Sequence, residues 1–375
     1  MFNPLLRLPL YNLTRRTGRF HPLPMNLTFS VSYRCNSRCQ TCNVWRKRAP
    51  DFTLEEYEQT FRHLGSAPYW LTFSGGEPFL RSDLIDIILA AYHHCRPGII
   101  NIPTNGLLVK RVIAGVERLT REAPRAQVVI NLSLDGIGDR HDEIRGVPGN
   151  YAKLCETYAG LRQLTAPNLT LGIHTVISQL NIDEFMPLYH HIRQELRPDS
   201  FITELAEERV ELDTIGLDIT PPVEQYAKVV DHLVADIDTV GADGVAGMAQ
   251  AFRRHYYQVA RRTLAEQRQI LPCYAGVASG HIAPDGDVWT CCIRAEPIGN
   301  LRESDYDLRP IWAGQKAAEL RESIRVGECH CPLANAAYTS MLCDPLSLLQ
   351  VGRHLVKGKL RQFERRREVS WSTAP

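Results

Sequence analysis

Short apolar segments alternate with longer amphipathic stretches over roughly the first two hundred residues. Six of the apolar segments are rich in β-branched and aromatic residues, which predicts β-strands. They are NLTFSVS (26–32), WLTFS (70–74), IINIPT (99–104), VVINLSL (128–134), LTLGIHTVI (169–177) and SFITEL (200–205). Apolar residues recur at helical spacing between them, near residues 54–64, 83–95, 107–122, 150–164 and 182–196. The pattern predicts an α/β fold of parallel βα units joined by right-handed crossovers.

The alternation ends after Glu204. Residues 220–237 and 245–268 are two predicted helices, and the first begins with prolines that suit a helix N-terminus. Residues 273–343 then contain six of the 11 cysteines, together with Gly, Pro and Asp turns. We therefore divide the chain into a basic arm (1–24), an α/β domain (25–215), a helical linker (216–270), a small cysteine-rich α+β domain (271–345) and a basic tail (346–375).

The composition is that of a globular protein, with 44% apolar and 23% charged residues in a chain of 375. No apolar run reaches the length of a membrane span, and the first twenty residues lack the continuous apolar core of a signal peptide. These features predict a cytoplasmic protein. An odd number of cysteines, 11, in a reducing compartment argues against a disulfide framework and favours metal ligation or catalysis.

Both ends of the chain are basic although the net charge is only +1. Residues 1–24 contain four arginines and no acid, and residues 346–375 contain seven basic residues against two glutamates. Such ends can be solubilising termini, or they can contact an anionic molecule or the surface of a membrane peripherally. We expect no specific nucleic-acid partner.

Three cysteines, Cys35, Cys39 and Cys42, follow the first predicted strand within the sequence YRCNSRCQTCNVW. Clustered thiolates are typical of zinc or iron-sulfur centres, and a closed structural zinc site needs four ligands. No fourth ligand is evident nearby, because Asp51 and His63 are both distant in sequence. Three ligands on an iron-sulfur cluster would leave one iron open to another molecule.

A second motif, SGGEP from Ser74 to Pro78, follows the second predicted strand. The two motifs, in this order and at the ends of successive strands, resemble the radical S-adenosylmethionine (SAM) superfamily. The resemblance covers about residues 25–206 and implies a partial (β/α)6 TIM-type barrel. It also implies that the three cysteines hold a 4Fe-4S cluster whose open iron binds SAM, and that reductive cleavage of SAM gives a 5'-deoxyadenosyl radical that abstracts hydrogen from a substrate.

Function in parallel-stranded barrels collects at the C-terminal ends of the strands. The resemblance places SAM-binding residues there: Gly75, Gly76, Glu77, Thr104, Asn105, Ser133 and Arg145. Glycines allow close approach of backbone to a ligand, and Glu77 can pair with the methionyl ammonium. Arg145 suits a carboxylate because its guanidinium can donate two parallel hydrogen bonds. No catalytic acid or base is assigned.

The C-terminal cysteines resemble a SPASM/twitch extension of radical SAM enzymes. In CYAGVASGHIAPDGDVWTC, the turn PDGDV can bring Cys273 and Cys291 to one metal. We predict one auxiliary 4Fe-4S cluster with the ligands Cys273, Cys291, Cys329 and Cys331. Cys343 is the main alternative to Cys331 as the fourth ligand. Cys292 is expected to be packed in the protein or unused, or to substitute for one of the ligands. A zinc ribbon is the alternative, since zinc accepts the same thiolates.

An auxiliary cluster suggests that the substrate radical loses an electron, as in oxidation or crosslinking. Since only about 24 residues precede the first strand, we expect a small-molecule substrate: a sugar, nucleoside or lipid precursor. A flavodoxin or ferredoxin-type protein is the expected electron donor. The alternatives are a radical SAM maturase that modifies a peptide or protein, and a noncatalytic iron-sulfur electron-transfer protein.

Overall fold

The computed structural model describes residues 4–240, 244–356 and 358. Six parallel strands form the first part of the sheet: β1 (Asn26–Ser32), β2 (Trp70–Gly75), β3 (Ile99–Thr104), β4 (Gln127–Ser133), β5 (Leu169–Ile177) and β6 (Ser200–Leu205). They lie side by side in sequence order. Every residue of β1 is buried, as expected for a strand covered on both faces. The predicted α/β fold with a partial barrel is confirmed.

Helices connect the strands and cover the sheet. In chain order they are α1 (Leu8–Thr17), α2 (Leu54–Leu64), α3 (Leu84–Cys95), α4 (Val109–Glu122), α5 (Asp139–Arg145), α6 (Asn150–Arg162), α7 (Phe185–His191), α8 (Val223–Val240), α9 (Gly244–Glu266), α10 (Leu308–Trp312), α11 (Gln315–Val326) and α12 (Ala334–Cys343). Helix α2 illustrates how local sequence sets the two ends of a helix. Thr53 and Glu56 form a capping box at its start, and Gly65 ends it.

The cysteine-rich domain continues the same sheet. Strand β7 (Ser279–Ile282) pairs in parallel with β1, and β8 (Asp287–Trp289) and β9 (Pro297–Asn300) follow as antiparallel neighbours. The result is a nine-stranded sheet in the order β6-β5-β4-β3-β2-β1-β7-β8-β9. The candidate ligands of the auxiliary domain are therefore anchored on the edge of the barrel sheet.

The N-terminal segment contains a helix that the hydrophobic pattern did not predict. Tyr11 of α1 is fully buried and packs in one apolar cluster with Tyr274. Asn12 donates a hydrogen bond to the carbonyl of Cys343, and Arg15 donates one to the carbonyl of Cys273. Helix α1 therefore packs against the auxiliary domain.

The chain is helical again over residues 345–356. Apart from residue 358, the rest of the predicted basic tail lies outside the described residues. Across the described part of the chain, no helix has the length and apolar character needed to cross a membrane.

Candidate metal and cofactor sites

The three-cysteine motif forms an irregular loop directly after β1, which we call the cysteine loop (residues 33–43). Its thiols are half-buried and close enough to influence each other electrostatically. Burial raises the pKa of Cys35 to about 11 and that of Cys42 to about 12. The free thiols of Cys35 and Cys42 are therefore protonated at neutral pH, and metal binding there must release their protons.

The cysteine loop is attached to the end of α5. The amide of Arg38 donates to the carbonyl of Arg145, and the amide of Gln40 donates to the carbonyl of Ile144, both at 2.9 Å. Gly146 follows α5 with a φ of +65°, and a Cβ there would lie 2.4 Å from the carbonyl oxygen of Arg38. Only glycine fits this position. The contact fixes the middle of the loop against the helix that carries Arg145.

The end of β2 supports the other side of the loop. The amide of Gly76 donates to the carbonyl of Ser32 at 2.8 Å, and the amide of Glu77 donates to the carbonyl of Arg34 at 2.9 Å. A Cβ on Gly75 would lie 2.3 Å from the carbonyl oxygen of Ser32, and a Cβ on Gly76 would lie 2.2 Å from that of Arg34. The two glycines therefore allow the end of β2 to approach the backbone at the end of β1 and at the start of the cysteine loop.

Glu77 is buried at the centre of these contacts, with 2% of its surface exposed. Its carboxylate accepts hydrogen bonds from the Thr104 hydroxyl (2.9 Å), the Asn105 amide (2.8 Å) and the Phe79 amide (3.1 Å). Burial raises the pKa of Glu77, and these donors oppose that effect. The structure thus brings together Glu77, Thr104 and Asn105, as the sequence predicted for neighbouring strand ends.

Asn105 links this network back to the cysteine loop. Its side-chain amide donates to Oδ1 of Asn36 at 2.7 Å and to the hydroxyl of Ser37 at 2.9 Å. The amide of Ser37 in turn lies 3.4 Å from Sγ of Cys35. A continuous chain of hydrogen bonds therefore runs from the buried carboxylate to the first thiol.

Arg145 reaches the second thiol. Its Nη1 lies 3.4 Å from Sγ of Cys39 and 3.4 Å from Oδ2 of Asp135, and its Nη2 donates to the carbonyl of Ser133 at 3.2 Å. Nε of Arg145 is buried without a hydrogen-bond partner. Three convergent thiols with a guanidinium that has unused donor capacity fit a 4Fe-4S cluster and the carboxylate of SAM.

A second group of thiols lies in the cysteine-rich domain. Cys273 precedes β7, Cys291 follows β8, and Cys329 and Cys331 lie between α11 and α12. Cys273 interacts electrostatically with Cys291 and Cys329, and Cys331 interacts with Cys273 and Cys291. Burial raises the pKa of Cys273 to about 12. The four predicted auxiliary ligands thus lie near one another and come from three separate segments of the chain.

The two alternative auxiliary ligands, Cys343 and Cys292, have other surroundings. Cys343 is 2% exposed and packs with Tyr11 and Tyr274 in an apolar cluster. Cys292 instead lies beside Glu211 and His281.

Charged residues at the end of β6 and directly after it form a group that was not among the site residues predicted from the sequence. Arg209 pairs with Glu204 at 3.0 Å and with Glu207 at 3.9 Å, and His174 lies 3.5 Å from Glu204. Burial opposes ionisation of Glu204, but Arg209 and His174 hold its pKa at about 2. Burial raises the pKa of Glu207 to about 8. The tract AEERVE (206–211), directly after the last barrel strand, was the available signal.

Comparison with known families agrees with this geometry. The profile of the radical SAM superfamily matches residues 29–192, and that of the SPASM iron-sulfur cluster-binding domain matches residues 273–332. The two matches together span more than half of the chain. The protein belongs to the radical SAM superfamily and is a radical SAM enzyme with a C-terminal SPASM domain. The two domains imply the predicted cofactors, 4Fe-4S clusters and SAM.

Individual relatives are distant. The chain is 21% identical over 326 residues to the antilisterial bacteriocin subtilosin biosynthesis protein AlbA of Bacillus subtilis, a match that covers 81% of this chain but 65% of AlbA. It therefore spans slightly less than two thirds of that relative. The mycofactocin maturase MftC of Mycobacterium tuberculosis is 27% identical over 335 residues, covering 86% of this chain and 78% of MftC.

Among solved structures, Streptococcus suis SuiB bound to its precursor peptide SuiA aligns with a TM-score of 0.60 at 15% identity, covering 84% of this chain and 69% of SuiB. This likeness shows a shared fold. AlbA is a bacteriocin biosynthesis protein, MftC is a maturase and SuiB binds a precursor peptide. The prediction of a small-molecule substrate is therefore wrong. That prediction depended on the short segment before β1, which carries no physical information about what enters the barrel.

Proposed function

We propose that this protein is a radical SAM maturase that introduces an oxidative modification, such as a crosslink, into a peptide. The observation that carries the proposal is the presence of two thiol sets, one suited to a SAM-binding cluster and one suited to an auxiliary cluster, in two domains that share one continuous sheet. The peptide maturases among its relatives support the choice of substrate class.

The residues of the first site have separate roles in this proposal. Cys35, Cys39 and Cys42 hold the cluster, and SAM bound to it supplies a 5'-deoxyadenosyl radical on reduction. Glu77 binds the methionyl ammonium, because its buried carboxylate is surrounded by neutral donors and has no cation of its own among its hydrogen-bond partners. Arg145 binds the methionyl carboxylate through the donor capacity left at its guanidinium.

Ser133, Thr104 and Asn105 hold these two groups in place. Ser133 accepts from Arg145 through its carbonyl, and Thr104 donates to Glu77. Asn105 joins Glu77 to the cysteine loop. A site supported by such contacts is organised before the cofactor arrives, which lowers the cost of binding.

The auxiliary site uses Cys273, Cys291, Cys329 and Cys331. A cluster held there would supply an electron acceptor, which an oxidative modification of a peptide requires. The buried polar side chains of Glu204, Glu207 and Arg209 can bind polar groups of the peptide backbone.

The test is anaerobic incubation of reconstituted, reduced enzyme with synthetic candidate precursor peptides, following 5'-deoxyadenosine and peptide mass together. We expect both to change in step, with loss of a pair of hydrogens from one peptide. The matched control is Cys39→Ala, which should form neither product. SAM cleavage without any change in peptide mass across the candidates would contradict the maturase proposal. No cleavage in the reduced holoenzyme would favour a noncatalytic electron-transfer protein.

A further inference from the structure

We propose that Glu211, His281 and Cys292 bind a zinc ion, separate from both iron-sulfur sites. One carboxylate oxygen, one imidazole nitrogen and one thiol sulfur lie within 4.8 Å of one another. The three residues come from distant segments: the tract after β6, strand β7, and the turn after β8. None of them belongs to the cysteine loop or to the four proposed auxiliary ligands.

His281 is held in a fixed orientation. It is 4% exposed, and its ring stacks on Trp289 with a centroid distance of 4.8 Å and an angle of 18° between the planes. Its Nε2 lies 2.9 Å from the hydroxyl of Ser30 and 3.9 Å from Oε1 of Glu211. A ligand whose ring is packed in this way has little rotamer entropy left to lose when a metal binds.

The spacing suits a metal after a small adjustment. Zinc binds histidine nitrogen and carboxylate oxygen at about 2.0–2.2 Å and thiolate sulfur at about 2.3 Å, so tetrahedral ligand atoms are separated by about 3.3–3.8 Å. The ligand atoms of this group all lie within 4.8 Å of one another, and Nε2 of His281 is 3.9 Å from Oε1 of Glu211. Closing them requires movements of about 1 Å, which rotation of the glutamate and cysteine side chains can supply.

The combination of ligands favours zinc. One sulfur, one nitrogen and one oxygen form a mixed donor set that zinc accepts readily, whereas magnesium and calcium require oxygen ligands. Three protein ligands leave the fourth position open, as in catalytic rather than structural zinc sites. The proposed ion therefore has a coordination position for water or for a substrate oxygen.

The surrounding charges also permit a cation. Arg209 is a neighbouring positive charge, but it is paired with Glu204 at 3.0 Å. Glu211 and the thiolate of Cys292 therefore remain to offset the charge of a divalent ion.

The test measures zinc on the fully iron-loaded holoenzyme. Reconstituted protein is incubated anaerobically with zinc and desalted, and zinc and iron are then quantified in the same sample. We expect about one zinc per chain in the wild type, and at least tenfold less in both Glu211→Gln and Cys292→Ser. Cys155→Ser, a half-buried cysteine on α6, is the matched control and should retain the zinc.

Cobalt provides a second readout. Co²⁺ in place of zinc should give a thiolate-to-metal charge-transfer absorption in the wild type that is absent in Cys292→Ser. Glu211→Gln is decisive, because Glu211 is not adjacent in sequence to a cluster ligand. Loss of zinc in that variant with unchanged iron supports the site. Retention of zinc in Glu211→Gln, or little zinc in the iron-loaded wild type, would overturn the proposal.

Discussion

At the residue scale, Glu77 is the most constrained of the proposed cofactor contacts. Its carboxylate is buried and accepts three hydrogen bonds from uncharged groups. Burial raises the pKa of this carboxylate although its three donors and the charge of Arg145 oppose that effect, and a bound ammonium would stabilise the charged form further. The structure thus gives a physical reason for SAM to bind at this point.

Replacing Glu77 with Gln should weaken SAM binding, because the side chain keeps its size but loses the charge. The expected loss is about 1–3 kcal/mol, the range for a hydrogen bond to a charged group. Isothermal titration of reconstituted protein with SAM measures it. Glu117→Gln, on the exposed face of α4, is the matched control. Equal SAM affinity in the Glu77 variant and the control would remove Glu77 from the site.

Much of the first site could be predicted from the sequence because its residues follow successive strands in short motifs. Cys35, Cys39 and Cys42 lie within one loop, and Glu77 follows the next strand. The Glu211, His281 and Cys292 group could not be predicted, since its members are distant in sequence and meet only because β7 pairs with β1. Local spacing also carries no information about the substrate class.

At the element scale, the six barrel strands were predicted to within one or two residues at their ends, because their apolar, β-branched segments are short and clearly bounded. Helix α1 was missed. Its leucines are interrupted by Arg7 and Pro9, and its position depends on Tyr11 packing against Tyr274 from the other end of the chain. Tertiary contacts of this kind leave no local pattern.

The end of β2 must approach the cysteine loop without any side chain between them. In Gly76→Ala the new Cβ would lie 2.2 Å from the carbonyl oxygen of Arg34, so the loop must shift. We expect lower iron content at the first site and weaker SAM binding, measured by iron assay and by titration. Gly352→Ala is the matched control, since no other atom of the described residues lies within 4 Å of a Cβ built there. Full iron loading in Gly76→Ala would show that the loop tolerates the displacement.

A salt bridge joins α2 of the barrel to the segment after β9. Arg302 donates to both oxygens of Glu56, at 2.6 and 3.1 Å, and these bonds lower the pKa of Glu56 to about 2. Glu56→Gln should reduce the free energy of unfolding by about 1 kcal/mol at neutral pH. Glu58→Gln, which breaks a more exposed pair on the same helix, should cost less.

The pH dependence of the Glu56 effect has a defined sign. Since the pKa is lower in the folded state than the ordinary value of 4.5, the stabilisation is complete above that value and is lost as the pH falls toward about 2. The difference between wild type and Glu56→Gln, followed by thermal unfolding, should be constant between neutral pH and about pH 5.5 and then shrink. A difference that varies between pH 6 and 8 would assign the effect to another group.

At the scale of the whole molecule, the two thiol sets are connected by one sheet. Strand β7 of the SPASM domain pairs with β1, and the cysteine loop follows β1 directly. Helix α1 adds a contact by donating from Arg15 to the carbonyl of Cys273. This architecture holds the two proposed clusters at a fixed separation, which electron transfer between a substrate radical and an auxiliary cluster requires.

Removing the auxiliary ligands separates SAM cleavage from product formation. In Cys273→Ala combined with Cys291→Ala, SAM binding and slow uncoupled cleavage should persist, because the first site is built from other residues. Modified peptide should disappear. Melting behaviour and SAM affinity must be measured on the same variant, since loss of a metal can unfold a small domain. Normal product formation by a folded variant would show that the auxiliary site is dispensable.

The most direct test of the whole account is the iron and sulfide content of the reconstituted wild type and of the variant with Cys35, Cys39 and Cys42 all changed to Ala. We predict about eight iron atoms per chain in the wild type and about four in the variant, which should also form no 5'-deoxyadenosine from SAM. Wild type with about four iron atoms, or a folded triple variant that retains none, would contradict the assignment of two independent 4Fe-4S sites.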